Sequence, residues 1–330
     1  MGYKPPYQIT TKIVNLISLI SEEMTKIESN EEKIISPKLR KINRIKTLAG
    51  TLEIEGNFIG EEKITAILEG KVVLGTFAEI TEAQGAIEAY AEFEKYNPKN
   101  IEDLLKAHKI LMQKLINSAG RFRTVNVGVG GKNGVTHVAP QPHLVPALMG
   151  DLFSWLSTTD EHPLITSSVF HYEFEFIHPF SDGNGRIGRL WQNVILYHWK
   201  KAFVAIPTES IIRDFQEQYY QAIENASSSG ESTPFIEFML DVILKSIQNE
   251  VKGSVISSVI SSVNTDDKIL ALMKQNTTIT MKQLAEHLNL TQRAVEKQVA
   301  KLKDEGKVGR VGSARKGEWE VFEDDKRSDR

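Results

Sequence analysis

Residues 178–189 read HPFSDGNGRIGR and gather the side chains best suited to chemistry on phosphates. His178 has the segment's only side chain whose ordinary pKa lies near neutrality, which makes it the natural general base. Gly183, Asn184 and Gly185 let the backbone curl so that successive N–H groups face inward, and a helix starting near Arg186 adds its positive end. Arg186 and Arg189 lie one helical turn apart and can offer planar donors to phosphate oxygens, while Asp182 can hold a magnesium ion bridging two phosphates. A polyphosphate suits such a set. No P-loop competes for it: before Gly131-Lys132, Asn126 stands where the first glycine belongs, and Asn133 stands where the hydroxyl belongs. The other histidines, including His108, His137, His143 and His198, lack paired metal-ligand spacing and read as surface or satisfied core residues.

This segment resembles the Fic family signature, HPFx(D/E)GNGRxxR, and matches all nine specified positions. Phe170, His171, Phe174 and Ile177 form an apolar helical approach like that of Fic proteins, and Ile187, Leu190, Val194 and Ile195 continue the next helix. The resemblance extends over about residues 1–250. It implies transfer of AMP from ATP to a Ser, Thr or Tyr hydroxyl of a protein, with magnesium as the metal and pyrophosphate released. On that basis His178 deprotonates the hydroxyl, Asp182 binds magnesium, and Gly183, Asn184 and Gly185 form a nest around the phosphates. Arg186 and Arg189 neutralise the β- and γ-phosphates, and Phe180 anchors the loop by packing. Two other functions share these residues: removal of AMP from a modified protein, and a DNA-binding regulator that uses the Fic fold as a nucleotide sensor.

Upstream, residues 51–57 read TLEIEGN, with Thr51 and Glu55 on one helical face and Gly56-Asn57 as a helix stop. In this context they resemble the inhibitory motif (S/T)xxxE(G/N). The resemblance implies that Glu55 pairs with Arg189, takes the space of the ATP γ-phosphate and leaves the enzyme self-inhibited.

The elements that must position these residues are mainly α. Ile13, Val14, Ile17 and Ile20 mark one apolar stripe, and Leu104, Leu105, Leu111, Met112 and Leu115 mark another. Residues 121–138 read as a β-hairpin, with Phe122, Thr124, Val125 and Val127 leading into a glycine-rich turn and Val135 to Val138 leading out. Its position matches the Fic flap, on which a protein target docks as an added strand, and Gly120 with Arg123 fits a GxxR-like approach to it. Self-modification is one such use. From Asp266 three short helices are expected, around Ile269 to Met273, Met281 to Leu288, and Thr291 to Leu302, with Asn289-Leu290 linking the last two. VGRVGSARKGEWEVF then forms a wing. The expected organisation is an N-terminal helical Fic region with the inhibitory helix at 1–110 and a Fic catalytic core at 111–252. A linker or helix end at 253–265 and a winged helix-turn-helix at 266–330 complete it.

Composition narrows the functional classes. With 330 residues, 41% hydrophobic and 25% charged, the chain supports two cores, and disordered and fibrous classes are excluded. Cysteine is absent, which removes disulfides, thiolate zinc sites and cysteine nucleophiles. No apolar run reaches a membrane span, and the N-terminus lacks an export signal, so a cytoplasmic protein is expected. The net charge of −3 conceals a tail, residues 265–330, with 14 Lys and Arg against 12 Asp and Glu. Arg293, Lys297 and Lys301, then Lys307, Arg310, Arg315 and Lys316, form a basic cluster that suits DNA or a protein surface, and an oligomer is compatible with it.

Overall fold

The computed structural model describes residues 3–29, 37–131, 134–262, 265–288, 291–311 and 317–322. The chain divides into two units, Met1–Lys252 and Gly253–Arg330.

The first unit is built around two helices that pack along each other, α7 (Pro163–Ile177) and α8 (Asn184–Trp199). Both are buried on nearly every face, as expected of helices at the centre of a core. His162 caps α7 by accepting from the Leu164 N–H, and Pro163 occupies the first turn, where its missing donor costs nothing. Around this pair lie α1 (Thr11–Ser29), α2 (Pro37–Ile54), α3 (Gly60–Leu68), α4 (Phe77–Ala91), α5 (Ile101–Met112) and α6 (Val145–Thr158). A capping box between Thr76 and Glu79 starts α4, and Asn100 caps α5. Trp191 of α8 is fully buried and donates its indole N–H to the Pro98 carbonyl at 3.0 Å. Phe153 of α6 meets Phe170 of α7 edge to face.

Helix α2 carries Thr51 and packs on α9 (Thr208–Asp214). A Cβ at Gly50 would lie 2.7 Å from the Glu209 backbone carbon, so glycine sets how closely the two helices approach. The unit continues through α10 (Gln216–Ser229) and into α11 (Thr233–Ser262), whose residues from Gly253 on belong to the second unit and whose helical backbone includes residues 253–262 of the expected linker. Ile54, Tyr172, Ile212, Tyr219 and Phe235 form a smaller core beneath α9 and α10.

The hairpin is shorter than its sequence pattern suggests. Strands β1 (Gly128–Gly131) and β2 (Gly134–Val138) pair antiparallel from Gly128↔Val138 to Gly131↔Gly134, with a register shift between Val129 and Gly130. Residues 132–133 of its turn lie outside the described residues. Residues 121–127 form no ladder: Phe122 packs near Phe180 and Arg123 donates to four carbonyls, while Thr124, Val125 and Asn126 are exposed.

The second unit has α12 (Thr265–Gln275), α13 (Met281–Leu288) and α14 (Gln292–Asp304), then β3 (Val308–Val311) paired antiparallel with β4 (Glu318–Val321). Ile269, Met273, Leu284, Val295, Val299, Leu302 and Trp319 form its core. Thr291 caps α14 through the Ala294 N–H, and Trp319 donates to the Ile279 carbonyl at 2.9 Å. The Asn289-Leu290 link and Arg315 and Lys316 lie outside the described residues. Among the described residues no helix is long and apolar enough to cross a membrane.

Candidate active site

The loop between α7 and α8 brings His178, Asp182, Gly183 and the first turn of α8 together. Helix α7 ends on His178, whose φ of 49° and ψ of 60° are left-handed, the only such non-glycine conformation among the described residues. Such a conformation costs about 1–3 kcal/mol and persists where surrounding contacts impose it. Arg123 imposes it here. Its Nε donates to the His178 carbonyl at 2.7 Å, its Nη2 to the Ile177 carbonyl, and its backbone N–H to the Pro179 carbonyl at 2.9 Å. The His178 ring Nδ1 faces the Glu175 carbonyl at 3.3 Å. A carbonyl can only accept, so Nδ1 carries the proton and Nε2 the lone pair, the tautomer a general base requires.

Asn184 turns inward and clasps the loop: its Nδ2 donates to the Phe180 carbonyl, and its Oδ1 accepts from the Phe180 N–H, both at 2.9 Å. Its side chain therefore fixes the turn between Phe180 and α8. Gly183 (φ 82°) precedes α8, and the unpaired amides of the helix's first turn give the loop its positive end.

The two arginines differ in use. Arg189 is 1% exposed and engaged through two of its three nitrogens: Nε donates to Thr51 Oγ1 at 3.1 Å, and Nη2 to the Thr51 carbonyl at 3.1 Å and to Glu55 Oε1 at 2.7 Å. Burial alone would raise the pKa of Glu55, yet the Arg189 guanidinium outweighs it and holds the carboxyl below its usual value. Arg186 is equally buried, but its Nε and Nη1 have no hydrogen-bond partner. Its Nη2 reaches Asp182 Oδ1 at 3.3 Å, and Glu82 lies 3.8 Å from Nη1. Buried donors left unpaired are costly, and an oxyanion would satisfy them. A Cβ at Gly185 would collide with Glu55 Oε1, so glycine here leaves room for the carboxylate.

Asp182 is solvent-accessible, with Oδ1 accepting from the Gly183 N–H at 2.6 Å. No group of three or more His, Cys, Asp or Glu converges on a metal position among the described residues. One carboxylate beside a phosphate nest nevertheless fits magnesium, which binds through one or two carboxylates plus phosphates and water.

Sequence reasoning took His108 for a surface or satisfied core residue and did not single out Glu175. His108 is buried in α5 and stacks face to face on Phe180 at 3.6 Å. Its Nδ1 accepts from the Gly120 N–H at 2.8 Å, so Nε2 carries the proton and donates to the Asp182 carbonyl at 3.0 Å. Burial pushes its pKa down to about 4, which keeps that tautomer neutral. The available signal was a polar residue on the apolar face that also carries Leu104, Leu111 and Met112. Glu175 is buried with Oε2 3.8 Å from His178 Nδ1, and Oε1, 3.9 Å from His171 Nε2, has no hydrogen-bond partner. Burial pushes its pKa up to about 8, with Arg189 opposing and Glu55 adding to the shift.

Comparison with known proteins matches this geometry. Residues 98–196 match the Fic/DOC family, and residues 264–308 match a winged helix-turn-helix DNA-binding family. The protein adenylyltransferase Fic of Nematostella vectensis is 29% identical over 240 residues, covering 67% of this chain and 54% of its own. The protein adenylyltransferase fic-1 of Caenorhabditis elegans is 30% identical over 214 residues, covering 61% and 40%. The chain thus spans about half the length of these relatives or less. Among solved structures, Fic-1 of C. elegans shares the fold over 74% of this chain at 23% identity and a TM-score of 0.58. A crystal structure of a Fic family protein from Desulfovibrio desulfuricans G20 is 37% identical with a TM-score of 0.74, covering 98% of this chain and 100% of that one. With that relative matched along its whole length and the HPFSDGNGRIGR loop intact, the chain belongs to the Fic family.

Proposed function

We propose that the chain is a protein adenylyltransferase that transfers AMP from ATP to a Ser, Thr or Tyr hydroxyl and is restrained by Glu55. The observation that carries this reading is Arg186, whose two buried, unpaired donors lie beside the N-terminus of α8 and one turn from the sealed Arg189. The pair supports a phosphate site in which Arg186 is open and Arg189 is held by a carboxylate. The curated relatives named protein adenylyltransferase support the reaction class.

In the reaction, the target hydroxyl oxygen forms a bond to the α-phosphorus, and the bond from that phosphorus to the β-phosphate bridging oxygen breaks. Pyrophosphate leaves with that electron pair. The hydroxyl proton passes to His178 Nε2, the nitrogen left unprotonated by the Nδ1 contact to the Glu175 carbonyl. Arg186 and the first amides of α8 orient the phosphates, and Arg189 joins them once Glu55 withdraws. Asp182 would hold magnesium, which supplies charge neutralisation to the polyphosphate. The hairpin β1–β2 offers main-chain donors and acceptors to an extended target segment.

Intact-mass measurement of the full chain incubated with ATP and magnesium tests the reading. The Glu55→Gly chain is expected to gain AMP on itself, and the Glu55→Gly/His178→Ala chain none; no incorporation by either would refute it. A second reading, AMP removal, draws on the seated Glu55, whose carboxylate could orient a water. Release of AMP from a modified protein by the wild-type chain, lost on Glu55→Gly, would favour it.

A further inference from the structure

A cavity of about 460 Å³ opens in the first unit between the N-terminal half of α2, the C-terminal end of α4 and residues 203–206 after α8, and none of residues 178–189 lines it. That volume is typical of a small-ligand pocket. Its deeper wall is apolar and aromatic, formed by buried Phe93, Phe203 and Ile206. The polar groups at its floor already have partners, because Tyr90 and Asn193 both donate to Glu209 Oε1.

The α2 wall is different. Arg40, Lys41 and Arg44 all line the cavity, against a single lining carboxylate, Glu94. Lys41 lies 3.7 Å from Glu69, but neither Arg40 nor Arg44 makes an ion pair within 4 Å among the described residues. Arg44 is half-buried, and its Nε is buried without a hydrogen-bond partner. Burial lowers its pKa, and Glu94, which is already hydrogen-bonded to Tyr197, only partly offsets this. A guanidinium with an orphaned buried donor, facing an aromatic-walled space, lacks an anion that can also fill that space.

We infer that this cavity binds a small organic anion with a flat apolar body, its carboxylate, sulfonate or phosphate held by Arg44 and Arg40 and its body lying against Phe93, Phe203 and Ile206. Inorganic anions would satisfy the arginines but leave the aromatic wall exposed to water. Neutral aromatics would cover that wall and leave Arg44 unpaired.

The test uses the full chain and two probes, anilinonaphthalene sulfonate and its uncharged analogue N-phenylnaphthylamine, titrated by fluorescence and calorimetry. The sulfonate should saturate one site on the wild type. Arg44→Met, which keeps an apolar stem and removes the charge, should weaken it about tenfold or more while leaving the uncharged probe nearly unchanged. Ala91→Trp, at an exposed lining position, should fill the cavity and abolish binding of both probes, with circular dichroism confirming the fold. Absence of a saturable site on the wild type, or equal sulfonate affinity for the wild type and a folded Ala91→Trp chain, would overturn the proposal. So would an Arg44→Met chain that weakened both probes equally.

Discussion

Glu55 Oε1 accepts a hydrogen bond from Arg189 Nη2 at 2.7 Å, linking the residue just after α2 to the second turn of α8. Thr51 supports the same guanidinium through its hydroxyl and its carbonyl, so the last turn of α2 and the residue after it engage the Nε and Nη2 donors of Arg189. The guanidinium is buried while the Glu55 side chain remains 31% exposed. The carboxylate is therefore the partner able to leave.

Replacing that carboxylate should open the site. Hydrogen bonds to charged groups contribute about 1.5–3 kcal/mol, so Glu55→Gly is expected to raise self-incorporation of AMP about tenfold or more. Thr51→Ala removes a neutral acceptor and should give a smaller rise. Intact-mass time courses with ATP and magnesium check both; equal rates for the Glu55→Gly and wild-type chains would remove the brake.

Acidity is a poor means of release. The folded Glu55 carboxyl sits below its ordinary pKa, so the stabilisation it gives is present above that ordinary value and is lost only as pH falls through the lowered one. Between about pH 6 and 9 the ratio of Glu55→Gly to wild-type activity should therefore stay constant. Rate profiles of both chains over that range are the measurement.

Glu175 and Glu209 have the opposite sign. Burial pushes them up to about 8 and about 7, so each remains protonated in the fold at pH values where the unfolded chain has released the proton. Their contribution is complete below the ordinary carboxylate pKa and declines as pH rises through the raised values. The Tm of the wild type should fall from about pH 5 to 8 by on the order of 10 °C more than that of a Glu175→Gln/Glu209→Gln chain, since each pKa unit corresponds to about 1.4 kcal/mol and each kcal/mol to about 2 °C in a domain of this size. Parallel melting curves would contradict the assignment of these acids as buried and neutral.

His108 should matter to catalysis without touching substrate. Removing the ring in His108→Ala strands the Gly120 N–H, frees the Asp182 carbonyl and leaves a hole under Phe180, a combined loss of about 2–4 kcal/mol. In the Glu55→Gly background kcat should fall much more than KM rises, because the loop that carries Asp182 loses its position. His108→Gln, which can donate to one group and accept from the other, should restore part of kcat. Steady-state kinetics of the three chains distinguish this from simple destabilisation, which would lower the active fraction and leave rescue to stability alone.

The parts of this site legible in the sequence are those whose partners lie within one or two helical turns. His178 through Arg189 is contiguous, and Thr51 and Glu55 share a face by spacing alone. What escaped depends on contacts between distant segments: His108 with Asp182, 74 residues away, and Arg123 with the His178 carbonyl, 55 residues away. The alternation Phe122-Thr124-Val125-Val127 resembled a strand, but burial of Phe122 and the four acceptors around Arg123 outweighed local β-propensity. Spacing alone treats Arg186 and Arg189 alike, and only the likeness to the inhibitory motif singled out Arg189; the approach of α2 pairs Arg189 with Thr51 and Glu55 and leaves two Arg186 donors unpaired. The three helices and wing of the second unit were legible because each has its own apolar period and the core they build is local.

The second unit's basic cluster is only partly available for a partner. Lys301 pairs with Asp266 at 3.0 Å, Lys307 pairs with Glu305 at 2.9 Å, and Arg310 lies over the Trp319 ring. Arg293 and Lys297 in α14 are exposed and make no ion pair within 4 Å among the described residues. A cation already neutralised within the fold releases few counterions on meeting a phosphate, whereas an unpaired one contributes fully. Duplex DNA binding, followed by fluorescence anisotropy over a salt series, should therefore lose about one unit of log–log salt slope for each of Arg293→Ala and Lys297→Ala. Lys307→Ala should change the slope little. A wild-type chain with no salt-dependent DNA affinity, or one equally weakened by all three substitutions, would assign α14 to a protein surface instead.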